Sequence, residues 1–263
     1  MSAEAVRVAG RSRRARGLFV HQLRSEQLVF WRSREAAFFI FLFPLLLFVL
    51  LGSVYSGRFE RLPVVWAVLA GLISYGCANT AFAGLAIQLV LRRESGILKR
   101  LRSTPLPPPT YVASLLVSTL IVFGLQTVAL FLLGRAFYGT PFPPALGSFV
   151  AVIVIGSAVF AALGTATASL IRSAEGSSAV VNFILLPMAF LSGAFGPTKG
   201  YPAVLRAIGD VLPLTYLVKL INAVYLHGDG VWTQPGALAV LAAWGIGGLV
   251  VTRLRFGWEP RER

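Results

Sequence analysis

The sequence predicts an all-α integral membrane protein: six transmembrane helices, an N-terminal amphipathic helix on the membrane surface, and a broken re-entrant element between spans five and six. Three observations carry this. Of the 263 residues, 56% are hydrophobic and only 13% are charged, with a mean hydropathy of +0.76, whereas soluble domains carry about 25% charged residues. The charges sit in the gaps between long apolar runs. Those runs are continuous rather than alternating, and their lengths approach the roughly 20 residues of helix that a hydrocarbon core of about 30 Å demands; a β-barrel would alternate.

The spans fall at about 36–56, 64–91, 111–134, 145–171, 177–195 and 236–251. They divide the chain into a cytosolic arm (1–35), a six-span domain (36–251) and a cytosolic tail (252–263). Of the 24 Lys and Arg, 18 lie in the arm, the loops after spans two and four and the tail; 6 lie in the opposite loops. The positive-inside rule therefore puts both termini in the cytosol, which agrees with an even number of spans. No internal repeat is evident.

The net charge of +14 lies beside apolar spans, where it sets topology and meets anionic headgroups, so nucleic acid is excluded as a partner and membrane lipid is expected. The lone Cys77 falls inside a span and reads as a packing residue. Residues 1–35 hold no apolar core of a signal peptide.

Residues 17–35 carry Phe19, Val20, Leu23, Phe30 and Trp31 on one stripe, with Arg24 and Arg32 away from it. Two readings fit: a plain surface anchor, or a helix that bears on a cytosolic partner. At the far end, Gly196-Pro197 breaks the fifth helix, and short helices are expected after Tyr201-Pro202 and from about Thr215 to Tyr225. These pieces are too short to cross twice and too apolar to float, hence a re-entrant or interfacial hairpin packed against protein.

Enzyme chemistry has little to work with. His21 and His227 are far apart, and no metal, thiol or nucleophile-elbow motif occurs. The spans lack a central ionisable residue, which argues against an ion-coupled carrier. No phosphate-binding loop occurs either, so this chain does not hydrolyse a nucleotide on its own.

The segment Arg92-Arg93-Glu94-Ser95-Gly96-Ile97-Leu98-Lys99-Arg100-Leu101-Arg102-Ser103-Thr104-Pro105 reads as a short charged helix ended by prolines. In a helical projection Ile97, Leu98 and Leu101 share a face, Glu94 falls within it, and Lys99, Arg100 and Arg102 point elsewhere. A carboxylate in a buried apolar stripe needs a cationic or N–H partner. This face therefore docks on another protein element with Glu94 paired there, or else the helix is solvated and Glu94 meets Arg93 or headgroup water. Pro105 and Pro107-Pro108-Pro109 stiffen the elbow into span three. In the spans, Gly71, Gly76, Gly84, Gly156 and Gly164 suit close helix packing, and Pro44 and Pro187 suit kinks. Most polar residues there (Asn79, Thr80, Gln88, Gln126, Thr127, Thr165, Thr167, Asn182) suit interhelical hydrogen bonds.

The stretch from Arg93 to Leu106 resembles the cytosolic loop motif of type 2 ABC transporter permeases, the group that includes the daunorubicin-resistance permeases; charge, glycine and proline match in order. Leu191-Ser192-Gly193-Ala194-Phe195 and Leu212-Pro213-Leu214-Thr215-Tyr216 also look like that family, and only Pro107-Pro108-Pro109 departs from it. The resemblance implies the permease half of an ATP-driven exporter, dimeric with itself or a sister permease and bound to two copies of a separate ATPase. ATP and Mg would be handled by the ATPase; this chain would bind no cofactor. It also implies ATPase contacts from Phe19, Leu23 and Phe30 of the surface helix, and from Arg93, Glu94, Gly96, Leu98, Lys99, Arg100, Leu101 and Arg102 of the loop. The substrate path is expected near Asn79, Phe82, Asn182 and Phe183, and an extracellular gate at Phe195, Pro197 and Pro213. The cargo expected is hydrophobic or amphipathic: a drug, lipid or glycan. The rival readings are a channel or carrier that needs no ATPase, and a membrane enzyme acting on lipids.

Overall fold

A computed structural model describes residues 3–255 and 257, apart from 56, 60–61, 104–106 and 199; of residues 3–16, 59, 101, 102, 108 and 109 it describes the backbone alone. The chain is a helical bundle whose long helices are set by the apolar runs. The N-terminal helix α1 (Ala3–Arg32) is followed after Ser33 by α2 (Arg34–Val54). A two-residue ribbon pairs Arg58–Phe59 (β1) with Leu62–Pro63 (β2) and leads into α3 (Val64–Glu94). Then come a short α4 (Ile97–Arg102), α5 (Pro108–Tyr138), α6 (Leu146–Leu170) and α7 (Ser177–Leu191). The last part holds α8 (Ala203–Gly209), α9 (Pro213–Leu226) and α10 (Pro235–Arg255).

Five of these helices, α2, α3, α5, α6 and α10, are long and apolar enough to cross a membrane. The fifth expected span is shorter than its apolar run. Helix α7 has 15 residues, about 22 Å of rise, and ends at Leu191 because Gly193 turns the backbone at φ +77°. Pro187 does not break it. Helices α8 and α9 lie where the two short pieces were expected, and α9 is buried on most sides, from Leu214 through Tyr225.

Helix α3 is the axis of the bundle, enclosed along most of its length. α9, α5 and α6 pack on it, and α10 lies along α6. Small residues set the closest approaches. A Cβ at Gly164 would stand 2.7 Å from the Phe82 carbonyl oxygen, and one at Gly71 would stand 2.3 Å from that of Ala194. Only glycine admits backbone contact this close.

Two π-helical stretches face each other, Ala37–Leu42 in α2 and Asn79–Gly84 in α3. Pro44, just past the first, has no N–H for a regular helical bond and would crowd the carbonyl one turn back. The Asn79 amide crosses the gap and donates to the Phe39 carbonyl at 2.9 Å. Other expected polar links divide. Thr165 meets Thr252 of α10 at 3.0 Å, whereas Thr80 and Asn182 bond carbonyls of their own helices. Gln126 and Thr127 are buried without a partner among the described residues.

Candidate functional site

The loop motif does not form one helix. Arg92, Arg93 and Glu94 complete the last turn of α3; Gly96, at φ +71°, reverses the chain, and α4 starts afresh at Ile97. Glu94 therefore does not share a helical face with Ile97 and Leu98, which corrects the projection. The reason is local: Ser95 caps α3 and Gly96 takes the left-handed conformation that side chains resist.

Three consecutive side chains then reach four different elements. Arg92 forks onto Glu26 of α1, with Nη1 donating to Oε1 at 2.8 Å and Nη2 to Oε2 at 2.5 Å. Its Nη1 also donates to the Tyr111 hydroxyl of α5 at 2.8 Å. Both charged side chains are buried, Arg92 at 11% and Glu26 at 3% exposure. Gln22 and Gln88 donate to the two Glu26 oxygens at 2.7 and 3.4 Å, so the carboxylate is saturated. One turn of α3 thus fastens α1 to α5, and Gln27 adds bonds to the carbonyl and hydroxyl of Ser118.

Arg93 points the other way. Nη1 donates to the Ala168 carbonyl at 3.0 Å and Nη2 to that of Ile171. These carbonyls belong to the C-terminal end of α6, where helix oxygens lack internal partners and attract a cation. Glu94 accepts the backbone N–H of Ala174 in the α6–α7 loop. The partner the sequence asked for is thus a backbone amide of the same chain.

Beyond this hub, α4 is anchored by Leu98, which is wholly buried, and presents Ile97, Lys99 and Arg100 outward. The side chains of Leu101 and Arg102, and residue Pro105 of the elbow, lie outside the described residues. On α1, Phe19, Leu23 and Phe30 are half-buried and Val20 and Trp31 exposed.

The residues expected along a substrate path fall on two faces. Asn79 and Phe82 are buried within the subunit, whereas Asn182 and Phe183 lie on the outward face of α7, with Phe183 81% exposed. At the other end of the bundle, Phe195 packs on Tyr75 and Phe190, Pro197 is exposed and Pro213 opens α9.

Glu26 and the Arg92 fork were not anticipated. The signal was present: at 100° per residue Glu26 sits about 20° from Phe19 and about 40° from Phe30, at the edge of the apolar stripe. The same reasoning applied to Glu94 would have asked for its cation.

Five long apolar helices bundled around α3 define a polytopic helical membrane protein. Residues 18–226 match the ABC-2 type transporter family, and the chain belongs to it. It is 26% identical over 150 residues to the inner membrane transport permease YhhJ of Escherichia coli K12, covering 56% of this chain and 40% of that one. It is 24% identical over 181 residues to the protein named "Probable multidrug ABC transporter permease YbhR" of the same strain, covering 68% of this chain and 49% of that one. The chain thus spans under half the length of these relatives. It is a multi-pass protein of the cell membrane.

Proposed function

We propose that this chain is the membrane subunit of an ATP-driven exporter of a hydrophobic or amphipathic substrate, powered by a separate ATPase. On this reading six segments cross the membrane, with α7 and the turn after it as the fifth, and both termini lie in the cytosol. Helices α8 and α9 form the re-entrant element. Two permease chains, identical or sister, pair through surfaces that include the exposed face of α7 with Asn182 and Phe183, and carry two ATPase copies. Those copies bind ATP and Mg; the permease binds neither.

The observation that carries this is the hub of Arg92, Arg93 and Glu94. It joins α1, α5, the end of α6 and the α6–α7 loop to the root of α4. Force on α4 then reaches four elements, three of them through buried polar contacts and the α6–α7 loop through the exposed Glu94 bond, which suits a partner that binds two arrangements of the permease unequally. A channel or carrier without an ATPase has no use for such a lever. The outward side chains Ile97, Lys99 and Arg100 suit the docking contact, and Glu94 acts through the α6–α7 loop rather than by touching the ATPase. The test is purification from native membranes. A nucleotide-binding subunit is expected to accompany the wild-type chain and to be lost from Arg100→Glu at unchanged permease yield. Retention of ATP-independent transport in liposomes by the chain alone would sink the reading.

A further inference from the structure

At the end of the bundle opposite the hub, α8, α9 and the turn after α7 line an open cavity of about 250 Å³. Its wall carries Ser192, Arg206, Asp210, Thr215, Lys219 and Asn222. Thr215, Lys219 and Asn222 recur at helical spacing on α9, so one stripe of an otherwise buried apolar helix is polar and faces this space.

The polar groups differ in how they are satisfied. Thr215 donates to the Gly209 carbonyl at 2.6 Å and lies 3.1 Å from the Ser192 hydroxyl. Lys219 pairs with Asp210 at 3.3 Å on the exposed rim. Two groups are left over. Arg206 has no hydrogen bond or ion pair among the described residues. Asn222 holds a buried side-chain oxygen with no partner there. An uncommitted guanidinium matches a phosphate, and a buried unpaired acceptor calls for a hydroxyl or ammonium donor. A phosphate-bearing ligand answers the first, and a hydroxyl or ammonium beside the phosphate answers the second once the Asn222 amide turns its oxygen to the cavity.

The surroundings specify the rest. Helix α8 and its C-cap turn Arg206 and Asp210 to the cavity, while Val204 and Ile208 of the helix and Val211 just past it, on another side, are exposed. An apolar strip thus begins where the polar cavity ends. The volume is below the about 300–1,000 Å³ of pockets that enclose a whole drug-sized ligand, so it suits a headgroup whose tails stay outside. We infer that this cavity binds the headgroup of a phosphate-bearing amphiphile, with its acyl chains along the apolar face of α8. This goes beyond the proposed function, and the binding does not depend on an ATPase.

The test is calorimetric titration of the full chain in maltoside detergent, with three probes: dihexanoyl phosphatidylglycerol, inorganic phosphate and dihexanoylglycerol. Saturable binding of the phospholipid is expected, weakened at least tenfold by Arg206→Gln. Val204→Asn is expected to weaken the phospholipid severalfold and leave phosphate unchanged. Both positions are exposed, so neither variant threatens the core. Inorganic phosphate binding as tightly as the phospholipid, with Val204→Asn silent, would reduce the cavity to a free-phosphate site. Dihexanoylglycerol binding as tightly, or Arg206→Gln binding like wild type, would overturn the headgroup assignment.

Discussion

Removal of the Glu26 carboxylate gives the sharpest test of how α1 is held. In Glu26→Ala the Arg92 guanidinium stays buried and keeps only the Tyr111 hydroxyl of its present partners among the described residues. Stripping one partner from a buried ion pair costs about 3–5 kcal/mol, because the other charge is stranded out of water. What then retains α1 on α5 is the Gln27 pair of bonds to Ser118 and the flanking apolar contacts. At about 1.4 kcal/mol per factor of ten, the docked state of α1 loses some two to four decades of preference. Hydrogen exchange reads this directly: amides of residues 20–32 are expected to lose protection while those of α3 keep theirs. A double-mutant cycle with Arg92→Ala supplies the decisive comparison. If the pair acts as a unit, the double variant is no worse than the worse single one, since no unpaired charge remains. Additive losses, or unchanged protection in Glu26→Ala, would refute the clamp.

Three further outcomes follow from the same geometry. Arg93→Ala uncaps the carbonyls at the end of α6 and is expected to cost about 1.5–3 kcal/mol per charged hydrogen bond lost, seen as a lower unfolding temperature in detergent that Arg93→Lys restores only in part. Gly164→Ala puts a Cβ 2.7 Å from the Phe82 carbonyl, so α6 must back away from α3; about 1–3 kcal/mol of destabilisation is expected. Gly124→Ala, with nothing within 4 Å, should leave thermal unfolding unmoved, and equal effects of the two would discredit the close approach. For the topology, a cysteine at Asp229 is expected to react with an impermeant maleimide on intact cells; reaction only after permeabilisation would invert the assigned orientation.

The long helices were legible because an apolar run of membrane length has few other fates, and the breaks at Gly96, Gly193 and Gly139 fall at residues that tolerate positive φ. Less legible was how far each helix runs. Arg92 and Arg93 looked like the start of a cytosolic loop because they are charged. They remain helical and buried because Glu26, Tyr111 and the end of α6 satisfy them. Which acid meets which base across 66 residues is a property of the packed bundle, and one chain's pattern announces only that a buried partner is needed. The same limit separated Asn79 and Phe82 from Asn182 and Phe183. All four are polar or aromatic residues within spans, and only the rotation of α7 against α3 turns one pair inward and the other out.

The placement of strong contacts along the bundle bears on how a push could travel. Between spans in lipid, helices adhere chiefly by close packing of small residues and by scattered hydrogen bonds, each worth about 1 kcal/mol. Such contacts, at Gly71, Gly164 or Thr165–Thr252, permit small sliding at low cost. The hub end is built otherwise. There a forked ion pair, a capped helix end and a carboxylate-held loop meet within three residues of α3. A load applied at α4 therefore meets its stiffest joint first and its most compliant ones last. On the exporter reading this ordering is what a lever requires: α1, α5 and the end of α6 move together with the root of α4, and the helices then shear along their glycine contacts. It also accounts for the position of Glu94. Tied to the amide of Ala174, it extends the rigid unit to the start of α7, whose outward face carries Asn182 and Phe183. Glu94→Ala is accordingly expected to uncouple ATP hydrolysis from transport while leaving the ATPase bound, and loss of ATPase binding in that variant would return Glu94 to the docking surface itself.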